Sequence, residues 1–133
     1  MSKISFIAFI TIEGDISFKL TSSEFRLHIS KEGEITDFEI FGNTKISYDY
    51  RGKIDSIGST RITYTFNNKV DQIGLTRITY TFNGKIDSID SERISYSFNG
   101  KVDKVGSASI SYTFNGKVDK ISGNIGHVVL THS

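Results

Sequence analysis

Arg77-Ile78-Thr79-Tyr80-Thr81-Phe82-Asn83-Gly84-Lys85-Ile86-Asp87-Ser88-Ile89 is the fullest statement of a sixteen-residue phrase repeated five times across residues 45–124. Tyr48, Tyr64, Tyr80, Tyr96 and Tyr112 mark its period, and Asp55, Asp71, Asp87, Asp103 and Asp119 keep step with them. So short a period is the signature of an array in which each unit buries surface against its neighbours. The phrase is written in isoleucine, threonine, tyrosine and phenylalanine, which favour strands. Alanine stands only at Ala8 and Ala108, and no proline interrupts a backbone ladder anywhere in the 133 residues. The fold class is therefore all-β.

Two architectures accommodate such a repeat. In a β-solenoid equivalent residues stack about 4.8 Å apart, whereas in an antiparallel meander they lie two strands apart, about 9.6 Å. A solenoid would stack Lys69, Lys85, Lys101 and Lys117 into a column of like charge, which destabilises a sheet. The meander interleaves them with other residues. Asn83-Gly84, Asn99-Gly100 and Asn115-Gly116 are also strong hairpin signals. The reading is an antiparallel β-meander of tandem hairpins forming an extended, twisted open sheet, with the solenoid as the alternative.

Two-residue turns at Asn67-Asn68 and its equivalents, with returns at Leu75-Thr76, set Tyr64 against Asp71, Phe66 against Lys69, and Ile73 against both Ile62 and Ile78. One face then carries three rows. The first is an aliphatic rib of Ile62, Ile73, Ile78, Ile89, Ile94, Val105, Ile110 and Ile121. The second alternates Tyr64, Asp71, Tyr80, Asp87, Tyr96, Asp103 and Tyr112, ending at Asp119. The third alternates phenylalanine (Phe66, Phe82, Phe98, Phe114) with lysine. The other face is rich in threonine and serine and is broken by Val70, Ile86, Val102 and Val118. A three-residue turn with a bulge would shift these faces by one. The sheet is either exposed on both sides or covered on its Ile–Tyr–Phe face by the N-terminal strands.

Outward from the repeats, residues 1–44 read as degenerate capping hairpins, with Arg26-Leu27-His28-Ile29 and the run from Gly33 to Phe38 as worn copies of the phrase. Residues 45–124 hold the five repeats and residues 125–133 a capping strand, all in one domain. The terminal strands, around residues 1–12 and 125–131, are candidate free edges for strand addition. Residues 45–58 (Lys-Ile-Ser-Tyr-Asp-Tyr, then Gly-Lys-Ile-Asp-Ser-Ile-Gly) resemble the units of bacterial tandem β-hairpin repeat proteins. That resemblance implies β repeats and brings no activity with it.

A net charge of +1 gives no global field toward nucleic acid or an acidic membrane. No cysteine means no disulfide and no thiolate metal site. The apolar run from Ile4 to Ile10 is too short to span a bilayer and lacks a small-residue cleavage site, so it reads as a buried strand and the chain as cytoplasmic. His28, His127 and His132 fit no metal spacing. Neighbouring aspartates of the row, about 9.6 Å apart, cannot share a calcium whose ligands lie at about 2.3–2.6 Å. No cofactor, metal or catalytic group is expected. The expectation is a non-enzymatic interaction or scaffold protein that binds a protein partner, or itself, through a sheet face or edge strands. The alternative is a glycan- or polymer-binding module. The candidate binding residues are Tyr64, Asp71, Tyr80, Asp87, Tyr96, Asp103 and Tyr112.

Overall fold

A computed structural model of the chain describes residues 3–131, and in it the chain is all β. Strands β1 (Ser5–Thr11), β2 (Ile16–Thr21), β3 (Phe25–Ser30) and β4 (Ile35–Ile40) form an antiparallel meander. The repeats continue as β5 (Ile46–Tyr48), β6 (Ile54–Ile57), β7 (Thr60–Tyr64), β8 (Val70–Ile73), β9 (Thr76–Tyr80) and β10 (Ile86–Ile89). They finish with β11 (Glu92–Tyr96), β12 (Val102–Val105), β13 (Ala108–Tyr112) and β14 (Val118–Ser122), and these ten strands make one sheet in sequence order. The last strand, β15 (Val128–Thr131), leaves that sheet and pairs in parallel with β1, giving a second sheet of order β15-β1-β2-β3-β4. Neither sheet closes into a barrel.

The two sheets share a core. Phe18, Leu20, Phe25, Leu27 and Ile29 of the N-terminal sheet pack with Ile62, Ile73, Ile78, Ile89 and Ile94 of the repeats, all buried. The N-terminal strands thus cover the aliphatic face of the meander. The rib is buried from Ile62 to Ile110, with Ile121 packed at its margin. Because β1 lies between β15 and β2, the first of the two terminal segments expected as free edges is interior, whereas β15, paired with β1 alone, is an edge of that sheet, as β4 is on its other side. Among the described residues no helix is long and apolar enough to cross a membrane, a statement that leaves strands aside.

Seven hairpins share one turn. In the second repeat Thr65 N–H donates to Lys69 O (2.7 Å) and Asn68 N–H donates back to Thr65 O (2.9 Å). Phe66-Asn67-Asn68 therefore form a three-residue loop whose last member alone is left-handed, Asn68 at φ 68°. Thr11, Ser30, Asp49, Thr81, Ser97 and Thr113 open the other six in the same way. A two-residue type I′ turn would need positive φ at both central positions, and Asn67, Asn83, Asn99 and Asn115 do not have it.

The loop's extra residue corrects the expected register. Tyr64 faces Val70, the ladder shifts by a bulge, and Thr63 then faces Gln72 and Ile62 faces Ile73 as read from the sequence. Asp71 is the unpaired residue of the bulge, so it does not face Tyr64, and Phe66 lies in the loop, where it cannot face Lys69. The bulge also turns Val70, Ile86 and Val102 into the core, although their place in a regular alternation is the threonine face. The return is one residue earlier than expected, at Gly74-Leu75, and sets Ile73 against Thr76 where Ile78 was read.

Candidate functional site

Each repeat hairpin is a tight unit, but successive hairpins pair only through two residues at the return end. Between β8 and β9 these are Gln72 with Arg77 and Ile73 with Thr76. The same two-pair ladder joins β6 to β7, β10 to β11 and β12 to β13. Toward the tips the hairpins splay, and a tyrosine fills each wedge. Tyr64 donates its hydroxyl to Ile54 O (2.6 Å) and Tyr96 to Ile86 O (2.8 Å), while Tyr80 and Tyr112 donate to the carbonyls of Val70 and Val102. The lysine of the preceding turn, Lys53, Lys69, Lys85 or Lys101, lies over the ring at 5.0–5.7 Å.

The wedges also receive backbone from the covering sheet. Val70, Ile86, Val102 and Val118 donate their amides to the carbonyls of Gly33, Lys31, Gly14 and Ile12, at 2.7–3.1 Å. All four acceptors belong to the two tip loops of the N-terminal sheet.

The candidate tyrosines are thus structural members of the array. Burial pushes the Tyr64 and Tyr112 hydroxyls up to about 12, helped by the negative charge of Asp49 at Tyr64 and of Asp103 at Tyr112. Tyr80 and Tyr96 are raised further by burial, with Asp71 and Asp87 adding to the effect. The aspartates stay near the tyrosines without forming a row with them. Asp103 accepts a hydrogen bond from Ser95 (2.6 Å), and Asp87 lies 3.7 Å from Arg93. His127 stacks on Phe6 at 5.3 Å, His28 faces Asp37 across β3 and β4, and His132 lies outside the described residues. No group of three metal-binding side chains occurs among the described residues.

Another set of side chains is left wholly to solvent. Phe66, Phe82, Phe98 and Phe114, first in their loops, are 101–108% exposed, and Tyr50 at the same place in the first repeat is 96% exposed. These five aromatics line the tip edge of the ten-stranded sheet at intervals of two strands, about 9.6 Å where strands are paired. Reading Phe66 as a strand residue opposite Lys69 hid this row. The signal that finds it is the serine, threonine or aspartate four residues before the lysine, whose side chain accepts the amide beyond the loop, as Thr65 Oγ1 does from Lys69 (3.2 Å).

Comparison with protein-family models, with curated proteins and with solved structures finds no match to this chain.

Proposed function

We propose that the protein is a non-enzymatic interaction module that docks on a protein partner through its row of tip aromatics, Tyr50, Phe66, Phe82, Phe98 and Phe114. The observation that carries this reading is their complete exposure at five equivalent places. The loop itself does not call for an aromatic, since this position of a type I turn accepts most residues. The equivalent places in the covering sheet hold Ile12 and Lys31. Burying an aromatic ring on a partner stabilises a complex by about 1.5–3 kcal/mol, and aromatics dominate interface hot spots.

End-to-end self-association is the weaker version of this reading. Continuing the ladder from β14 to β5 of a second copy in the pattern of Gln72 with Arg77 would set Lys120 opposite Lys45, two like charges. The recurrence of an exposed ring at every second strand favours a second reading, an extended polymer with repeating stacking surfaces. This moves the glycan alternative from the tyrosines to the phenylalanines.

Replacing Phe66, Phe82, Phe98 and Phe114 together by serine tests the proposal. The change is expected to leave the urea midpoint within about 0.5 kcal/mol of wild type, as for exposed residues without partners. It should abolish crosslinking from a photoreactive residue placed at Asn83 to the protein's partner in cells. Crosslinks that survive the four substitutions would remove the tips as the docking surface. Retention on insoluble polysaccharides that depends on the same four residues would move the assignment to the polymer.

A further inference from the structure

Five amides of the repeat sheet occupy equivalent places beside the tips, those of Ile54, Val70, Ile86, Val102 and Val118. The last four each donate to a turn carbonyl of the covering sheet, and no turn carbonyl among the described residues reaches Ile54. The reason is topological. The covering sheet ends at β4, and each of its two tip loops gives two carbonyls to repeat amides, all four of them beyond the first repeat. At the vacant place a cleft of about 340 Å³ opens between the free edge of β4 and the first repeat hairpin. Gly33, Ile35, Phe38, Tyr48, Ile54 and Tyr64 supply its main apolar and backbone walls.

The side chains around this cleft are unsatisfied in the same sense. Of the five tyrosines that mark the period, Tyr48 alone makes no hydroxyl hydrogen bond to the carbonyl ten residues earlier, here that of Phe38, among the described residues, and it stands 54% exposed. Phe38 pairs with the buried Leu27 on the inward side of β4, yet it remains 38% exposed because no strand lies beyond it. Glu34 and Asp37 line the cleft and enter no ion pair among the described residues, whereas Lys53 is spent over the Tyr64 ring.

We infer that this cleft is a docking site for an extended polypeptide segment of another protein, apolar on one side and basic on the other. The segment adds to β4 as a sixth strand of the covering sheet and gives a backbone carbonyl to the amide of Ile54. The four filled wedges are its internal precedent: in each, the chain already meets a repeat amide with a backbone carbonyl from a tip loop of the covering sheet. Strand addition supplies the backbone hydrogen bonds, alternate side chains cover Phe38 and Tyr48, and lysine or arginine answers Glu34 and Asp37. The site is separate from the aromatic tips and stands or falls without them.

The probe is a synthetic peptide of alternating valine and lysine around a central glycine, with glutamate in place of lysine as control, titrated into the full chain and followed by amide NMR. The lysine peptide is expected to bind, to shift the Phe38 and Tyr48 resonances and to slow hydrogen exchange at the Ile54 amide about tenfold or more. Phe38→Ser or Tyr48→Ser, both at partly exposed positions, should weaken binding about tenfold, while Phe98→Ser leaves it unchanged. Absence of binding, equal binding of the glutamate peptide, or binding without protection at Ile54 overturns the inference. So does a dimer of the chain alone that Phe38→Ser dissolves, since that would give the cleft to a second copy.

Discussion

Gly33 and Gly52 share a backbone conformation and little else. Both close a tip loop in the left-handed region, at φ +86° and +85°. A Cβ on Gly33 would fall 2.0 Å from the Tyr80 hydroxyl and 2.6 Å from two ring carbons, whereas one on Gly52 would meet nothing within 4 Å. The tyrosine cannot retreat, because its hydroxyl is tied to Val70 O inside the wedge. Gly52→Ala is therefore expected to cost only the backbone penalty, about 1–2 kcal/mol. Gly33→Ala adds overpacking to it and should lose about 2–5 kcal/mol. Urea unfolding with an unchanged m-value checks both, and equal losses would show that the Tyr80 contact does not hold the sheets together. Nothing in the local sequence separates these glycines, since each ends a polar loop. The distinction exists only once the covering sheet is laid on the repeats.

At the scale of the element, the strand composition, the even period and the hairpins were all legible in the repeated phrase. So was the pairing of Ile62 with Ile73, which survives because loop and bulge offset one another. The loop length was not legible from Asn-Gly alone, because that dipeptide serves both the two-residue turn and the last two places of a three-residue loop. The deciding feature is the capping oxygen, used in six of the seven hairpins, from Thr11 to Thr113, to accept the amide four residues on. Reading it would have moved Val70 to the core and Phe66 to the tip. The return turns carry a similar lesson in Thr60, which is fully buried beside Ile57 with its hydroxyl unpartnered. The fourth repeat puts Ala108 there, equally buried. Thr60→Val keeps the shape and removes a polar atom without a partner, so it should stabilise the chain by about 1 kcal/mol. A lower thermal midpoint for that variant would mean that the hydroxyl is satisfied in solution.

Over the whole molecule, the covering of the repeat face by the N-terminal strands was one of two open outcomes, because residues 1–44 read equally well as an end cap. What the sequence does not announce is the parallel clasp of β15 on β1, which depends on where the two ends meet after fifteen strands. Four tyrosines at the seam between the sheets give this arrangement a collective signature in alkali. Burial, the first cause at each, raises Tyr64, Tyr80, Tyr96 and Tyr112 above the ordinary value of about 10. The native chain then holds these protons more tightly than the unfolded one, so stability must fall as pH rises. Their contribution is whole below about pH 10 and drains away as pH climbs through 12. Of the six tyrosines only Tyr48 and Tyr50 lie outside the seam. In a Tyr48→Phe/Tyr50→Phe background, phenolate absorbance should therefore rise together with the loss of β-sheet circular dichroism. Adding Tyr80→Phe and Tyr96→Phe should flatten the dependence of the urea midpoint on pH above 10, since two of the four linked protons are gone. Phenolate formation near pH 10 with the sheet signal intact would mean that the rings are not held in the wedges. The stacking of one layer on the other would then need another explanation.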